Sequence, residues 1–251
     1  MKRGVRETAP RSRRKRWVAA LDTFSLALAA ALTSIALSRI ASPPPLAWLP
    51  ALALAALLGW AFADFASGLV HFLCDRFGSE RTPVLGPAVI RPFREHHLDP
   101  RAITTHGFVE LSGNNALALT PMLALGTELA PLFGETLLGS GLFSWLMSAS
   151  AGLFTTNQIH RWSHMAPARV PRIARWLQRA RLAITAEAHA RHHTAAHDRS
   201  FCITTGWCNA PLDRIDAWGR AERWLRRAGS PPHDDGGRGL APPHATAEQR
   251  A

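Results

Sequence analysis

Four long apolar stretches alternate with polar ones along the chain. Trp17 to about Ile40 is apolar almost throughout, too long for a signal-peptide core and without a convincing cleavage site, so it predicts a first membrane helix with Asp22 near one end. Ser42-Pro-Pro-Pro45 breaks that helix. Leu46 to about Val70 runs back, and its 25 residues, at about 1.5 Å each, exceed a hydrocarbon core of about 30 Å. Gly78 to Asn115 reads as a polar connection rich in Pro and Gly. Leu117 to about Phe133, which holds Pro121 and Pro131, and Thr136 to about Asn157 predict a third and a fourth span joined by a tight turn at Gly134-Glu135.

Beyond the fourth span the periodicity changes. Val170, Ile173, Leu177, Ala180 and Ile184 form an apolar stripe with Arg169, Arg172, Arg175 and Arg179 elsewhere around the helix, the pattern of an amphipathic helix on a bilayer surface. Ile215, Trp218, Trp224 and Leu225 mark a second such helix. From about Gly229 a Pro/Gly-rich tail reads as disordered, and it holds His233 and His244. The expected organisation is a basic tail at 1–16, one membrane domain at 17–228 and a tail at 229–251.

Charge orients the spans. The chain is 47% hydrophobic yet carries a formal net charge of +11, which requires the two kinds of residue to be segregated. Eight of the first sixteen residues are Lys or Arg, none lies between Arg101 and Arg161, and Arg161 to Arg227 holds thirteen Arg against five acids. That is the positive-inside pattern, with both termini cytoplasmic. The basic runs lack the interleaved aromatics of a strand-binding groove, so nucleic acid is not an expected partner. Cys74, Cys202 and Cys208 form no C-x-x-C pair, and a reduced environment is the simpler reading. Arg in preference to Lys, with abundant Ala, points to a bacterial inner membrane.

The chemistry lies in histidines. His189, His192, His193 and His197 follow Glu187 at spacings that crowd one face of a helix or of a helix entering a turn. Asp64, Gly68, His71 and Asp75 form one stripe at the end of the second span, where ionisable groups are costly unless they line a cavity. His96, His97, His106, His160 and His164 complete a set of ten, all on the cytoplasmic side if four spans are counted from a cytoplasmic N-terminus. A catalytic zinc uses about three protein ligands, so ten candidates suit two metals, or one metal with a large outer shell. Imidazole also serves iron, copper and nickel. A site at the ends of membrane helices is reached most easily by lipid tails, whose chemistry is C–H cleavage. Iron with dioxygen achieves that and no acid or base side chain does.

Four segments carry a resemblance. Ala63-Asp-Phe-Ala-Ser-Gly-Leu-Val-His71, Ile90-Arg-Pro-Phe-Arg-Glu-His-His-Leu-Asp-Pro100, Asn157-Gln-Ile-His-Arg-Trp-Ser-His164 and His189-Ala-Arg-His-His-Thr-Ala-Ala-His197, followed by Phe201-Cys-Ile-Thr-Thr-Gly-Trp207, resemble the Kua-type lipid desaturase family from about Ala63 to Trp218. That family includes plasmanylethanolamine desaturase, which makes the vinyl ether of plasmalogens, and a plastid enzyme that desaturates palmitate on phosphatidylglycerol. The resemblance implies an all-α integral membrane protein: a four-helix transmembrane bundle with a cytoplasmic histidine-rich di-metal cap and interfacial amphipathic helices.

It further implies a desaturase using two iron ions, O2 and two electrons from an external cytochrome b5- or ferredoxin-like carrier. The matching metal residues are His71, His96, His97, His106, His160, His164, His189, His192, His193 and His197, with Asp75 and Glu95 as a ligand or as groups behind the ligands. Two positions depart from the family pattern. Gly107 follows His106, and Asn114 precedes Asn115, where an acid is more usual, so His106 is expected to lack its orienting partner. Ile203-Thr-Thr-Gly-Trp207 and Arg91-Pro-Phe-Arg94 favour the plasmanylethanolamine branch and an ether ethanolamine phospholipid as substrate. Arg91 and Arg94 then hold the lipid phosphate through charge-assisted hydrogen bonds, or serve only the positive-inside balance. The alternatives are an acyl-chain desaturase acting on a phospholipid such as phosphatidylglycerol, and a non-catalytic membrane metal-handling or signalling protein.

Overall fold

A computed structural model describes residues 16–194 and 197–229, and no strand occurs among them. The tails expected at 1–16 and 229–251 fall outside these residues, apart from Arg16 and Gly229.

Helix α1, Arg16–Ser38, starts where the basic run gives way to apolar residues and ends before the prolines at 43–45. After a 3-10 turn at Leu46–Trp48, α2 occupies Leu49–Arg76, with Pro50 in its first turn, where the missing N–H is harmless. It continues six residues past the expected end because no helix breaker intervenes before Gly78, whose φ of +78° turns the chain. A π-type turn at Gly86–Ile90 leads into α3, Arg91–Leu98. Helix α5, Leu137–Ser163, is capped by the Thr136 hydroxyl, which accepts the Gly139 N–H at 3.0 Å.

The third expected span is displaced. Helix α4 runs Phe108–Leu129, nine residues earlier than Leu117, and passes through Asn114 and Asn115. These polar residues belong to a helix because they bond across it. Asn115 Nδ2 donates to the Leu153 carbonyl at 2.9 Å, and Asn157 Nδ2 donates to the Leu111 carbonyl at 2.9 Å and to the Asn114 and Asn115 side-chain oxygens at 3.1 Å. Among the described residues, three helical stretches are long and apolar enough to cross a membrane: Arg16–Ser38, Leu46–Arg76 and Leu137–Ser163. Helix α4 is the fourth long helix and also carries Glu110 and Glu128.

The long helices pack in the order α1 on α4, α4 on α5, α5 on α2. Small residues bring α2 and α5 together, as in membrane helix pairs. A Cβ on Gly59 would lie 2.2 Å from the Trp145 carbonyl oxygen, so this crossing admits no side chain. Leu54, Leu57 and Leu58 on the free side of α2 are exposed, an apolar face without protein cover.

Shorter elements gather over the C-terminal ends of α2 and α5: α6 (Arg172–Arg179), α7 (Ala186–Ala190), α8 (Asn209–Arg214) and α9 (Ala217–Arg227). The amphipathic pattern expected at 170–184 divides. Ile173 and Trp176 are exposed on α6, while Val170 and Ile184 are buried. The second pattern divides too, since Trp218 packs against Phe72 and Phe201 and anchors α9 to α2, whereas Trp224 stays exposed.

Gly59→Ala should overpack the α2–α5 crossing and cost about 1–3 kcal/mol. A lowered thermal melting temperature of the purified protein in detergent is the expected result, and an unchanged one would contradict the close approach.

Candidate metal centre

The site begins with a strap, residues 199–208, pinned to α2. Asp64, fully buried, accepts backbone N–H groups from Thr205 at 2.7 Å and Gly206 at 2.8 Å on one oxygen, and from Cys208 at 2.9 Å on the other. One turn on, the Ser67 hydroxyl accepts the Ile203 N–H at 3.1 Å. A Cβ on Gly68 would stand 2.5 Å from the Cys202 sulfur, so only glycine lets the strap lie this close. From the other side, Thr156 on α5 shares a 2.7 Å hydroxyl–hydroxyl bond with Thr204. The sequence marked Asp64 as part of a functional stripe; the structure makes it the anchor of the strap.

The strap's carbonyls orient histidines. The Nδ1–H of His71 donates to the Phe201 carbonyl at 3.0 Å, and that of His192 to the Arg199 carbonyl at 2.9 Å. With Nδ1 so engaged, Nε2 is the free lone pair, which is how metal-binding imidazoles are usually held. His96 Nδ1 similarly meets the Phe93 carbonyl. These carbonyls carry no side-chain signal, so sequence reading missed them.

Two groups of side chains result. His96, His160, His164, His189 and His193 form the first, with Nε2 separations of 2.9 Å for His160–His189, 3.1 Å for His160–His164, and 3.0 Å for both His164–His189 and His189–His193. His71, Asp75, His97 and His192 form the second, with one Asp75 oxygen 3.2, 3.1 and 3.3 Å from the three Nε2 atoms in that order. His97 and His193 also approach His197, and their rings lie 5.2 Å apart, so the two groups adjoin.

This arrangement fits metal ions on chemical grounds. His71, His96, His160, His189 and His192 are all buried, and His96 Nε2 has no hydrogen-bond partner. Lone pairs facing one another repel unless a cation or a shared proton sits between them. Donors about 3 Å apart are the spacing of adjacent corners around an ion roughly 2.1 Å from each nitrogen. Burial first, then neighbouring imidazoles, holds His96 and His189 well below the usual histidine range and lowers His164 and His197 to about 4. Such rings are neutral at pH 7 and keep their lone pairs for a metal.

The remaining expected site residues stand elsewhere. His106 belongs to neither group; it faces Glu110 at 3.8 Å, an acidic neighbour one turn into α4, and lines a cavity of about 40 Å³ beside His96 and His160. Glu95 pairs with Arg91 at 2.8 Å along α3 instead of entering the cluster as Asp75 does. Arg94 donates to the carbonyls of Cys74, Phe77 and Gly78 and so closes the C-terminus of α2.

Residues 60–235 match the lipid desaturase domain. The chain is 43% identical over 176 residues to the plasmanylethanolamine desaturase of Myxococcus xanthus, across 68% of this chain and 59% of that protein. It is 39% identical over 230 residues to plasmanylethanolamine desaturase 1 of Mus musculus, across 87% and 80%. It is also 31% identical over 212 residues to the chloroplastic fatty acid desaturase 4-like 1 of Arabidopsis thaliana, across 83% and 66%. No solved structure matches the chain.

Below pH 6.5 the unfolded chain binds protons that His164 and His197 refuse until about pH 4. Metal-stripped protein should therefore keep this contribution whole above that window and lose stability as pH falls through it, which melting curves across the window would show. Asp64→Ala would orphan three N–H groups, at about 1–3 kcal/mol for the buried one of Thr205 and less for the half-buried pair of Gly206 and Cys208. Lower melting temperature and reduced metal content together are expected; normal metal content would deny the strap its orienting role.

Proposed function

The chain belongs to the lipid desaturase family, and on that premise we propose that it is a membrane di-iron desaturase forming the vinyl ether double bond of an ether ethanolamine phospholipid. The observation that carries the reading is the pair of adjoining histidine groups on a lipid desaturase chain. The names of the Myxococcus xanthus and Mus musculus relatives supply the substrate class.

In this reading α1, α2, α4 and α5 all span an inner membrane, both termini are cytoplasmic, and the histidines lie at the cytoplasmic ends of α2 and α5. His96, His160, His164, His189 and His193 hold one iron; His71, His97, His192 and Asp75 hold the other, with His197 beside them. Iron bound there supplies, with dioxygen, the oxidising power to break unactivated C–H bonds. The alkyl chain loses two hydrogens from C1 and C2. Dioxygen leaves as two waters after taking those two hydrogens, two electrons from a cytochrome b5- or ferredoxin-like donor and two protons.

The chain's own residues prepare this chemistry. The Phe201 and Arg199 carbonyls fix the tautomers of His71 and His192, Asp75 places negative charge where cations gather, and burial of the rings excludes water. An acyl-chain substrate is the second reading, favoured by the Arabidopsis thaliana relatives.

Expression in a host that makes ether lipids without plasmalogens should yield acid-labile, aldehyde-releasing lipid and about two irons per purified chain. His192→Ala should abolish the product and reduce the iron. An unsaturated fatty acid released by base would select the acyl reading, and intact protein with neither product nor iron would defeat both.

A further inference from the structure

A trough runs between α1 and α5, away from the histidines. Because α1 packs on α4 and α4 on α5, α4 floors a channel that α1 and α5 wall. A cavity of about 440 Å³ occupies it, with Leu119 and Leu123 beneath and Leu26, Ala29, Met147 and Phe154 on its sides. That volume falls within the roughly 300–1,000 Å³ of small-molecule sites. Ala30, Ser34 and Ala151 on its margin are exposed, so it opens sideways. The Thr33 and Ser34 hydroxyls bond back to the Ala29 and Ala30 carbonyls, and no charged residue lines it. Apart from these hydroxyls, that of buried Ser150 and the Met147 thioether, an occupant meets hydrocarbon.

One face of α5 links this trough to the histidines. His160, Asn157, Phe154, Ser150 and Met147 recur at steps of three and four, a single stripe. His160 and Asn157 line the small cavity beside His96, while Phe154, Ser150 and Met147 line the larger one. At about 1.5 Å per residue, Phe154 and Met147 lie roughly 9 and 20 Å from His160 along the helix. Half a hydrocarbon core of about 30 Å is about 15 Å, so the trough, about 11 Å long between these two residues, lies at the depth of one leaflet's tails. Its far end is closed. Met147 packs into the cluster of Ala36, Ala130 and Phe143, and Phe143 meets Phe133 at 5.3 Å between ring centroids.

Resting on the desaturase reading, we propose that this trough seats one alkyl tail of the phospholipid substrate, entered sideways from the leaflet, with Met147 and Phe143 as its end stop. A tail so placed brings only the carbons next to the headgroup to the histidines, and the distance from His160 to Met147 measures chain length.

The test uses the full chain in vesicles, supplied with a reductant and with ether ethanolamine phospholipids of increasing sn-1 chain length. Met147→Trp and Ala151→Leu should move the preferred length down and lower kcat/KM for the longest tails about tenfold or more, the usual weight of excluding a methylene or two from an apolar slot. The shortest tails should be unaffected, and Leu57→Trp on the free face of α2 should leave the profile as it was. Folded, active Met147→Trp and Ala151→Leu proteins with the original profile would overturn the proposal.

Unaltered protein gives an independent answer. An ether phospholipid carrying a diazirine midway along its sn-1 chain should label residues 119–123 and 147–154 and be displaced by the same lipid without the diazirine. Labelling confined to free faces such as Leu54 and Leu57 would overturn the proposal even if no variant folded. Displaceable labelling of the trough by a protein that converts no lipid would leave the tail site standing and defeat the desaturase reading.

Discussion

Uncharged imidazoles packed in a space that water does not reach are the constraint from which the rest follows. A histidine surrendered to burial loses its proton more readily than in water, and neighbouring rings add to the effect. Each ring then presents a lone pair, and several lone pairs aimed at one point are tolerable only around a cation. Nine histidines and Asp75 meet among the described residues, five of the rings buried and four half-buried, drawn from α2, α3, α5 and α7 and from residues that follow α5 and α7. Folding and metal binding are thereby coupled, because the same close approach that builds the site is repulsive without its ions.

Holding the rings in place falls to backbone groups. The strap from Arg199 to Cys208 has no regular secondary structure for most of its length, so its N–H groups need partners from outside. Asp64 takes three of them and Ser67 a fourth, and the strap in return offers the Phe201 and Arg199 carbonyls to His71 and His192. A carboxylate inside a membrane-length helix is costly unless fully bonded; here its bonds run to the strap. The polar face of α2 thus serves two ends, Asp64 anchoring and Asp75 meeting the rings.

The same economy governs the α4–α5 seam. Asn114, Asn115 and Asn157 would be expensive in hydrocarbon, yet they satisfy one another and three helix carbonyls. That network brings the floor of the small cavity beside His96 and His160 into register with the apolar trough farther along α5.

The sequence alone determined that the protein is helical and rich in apolar helices, that its histidines fall in four local motifs, and which family those motifs resemble. Such properties depend on spacing within a few residues, and hydropathy and helical periodicity report spacing directly. Helix ends were harder. Helix α4 begins at Phe108 and not Leu117 because Asn114 and Asn115 find partners on α5, a contact some forty residues away that no local pattern encodes. Only the tertiary structure decided that Asp75 joins the histidines while Glu95 turns to Arg91, that His106 stands apart beside Glu110, and that Arg94 closes α2. In each case the residue type permits either role, and what selects between them is which partner, distant in sequence, the packed helices bring within hydrogen-bonding distance.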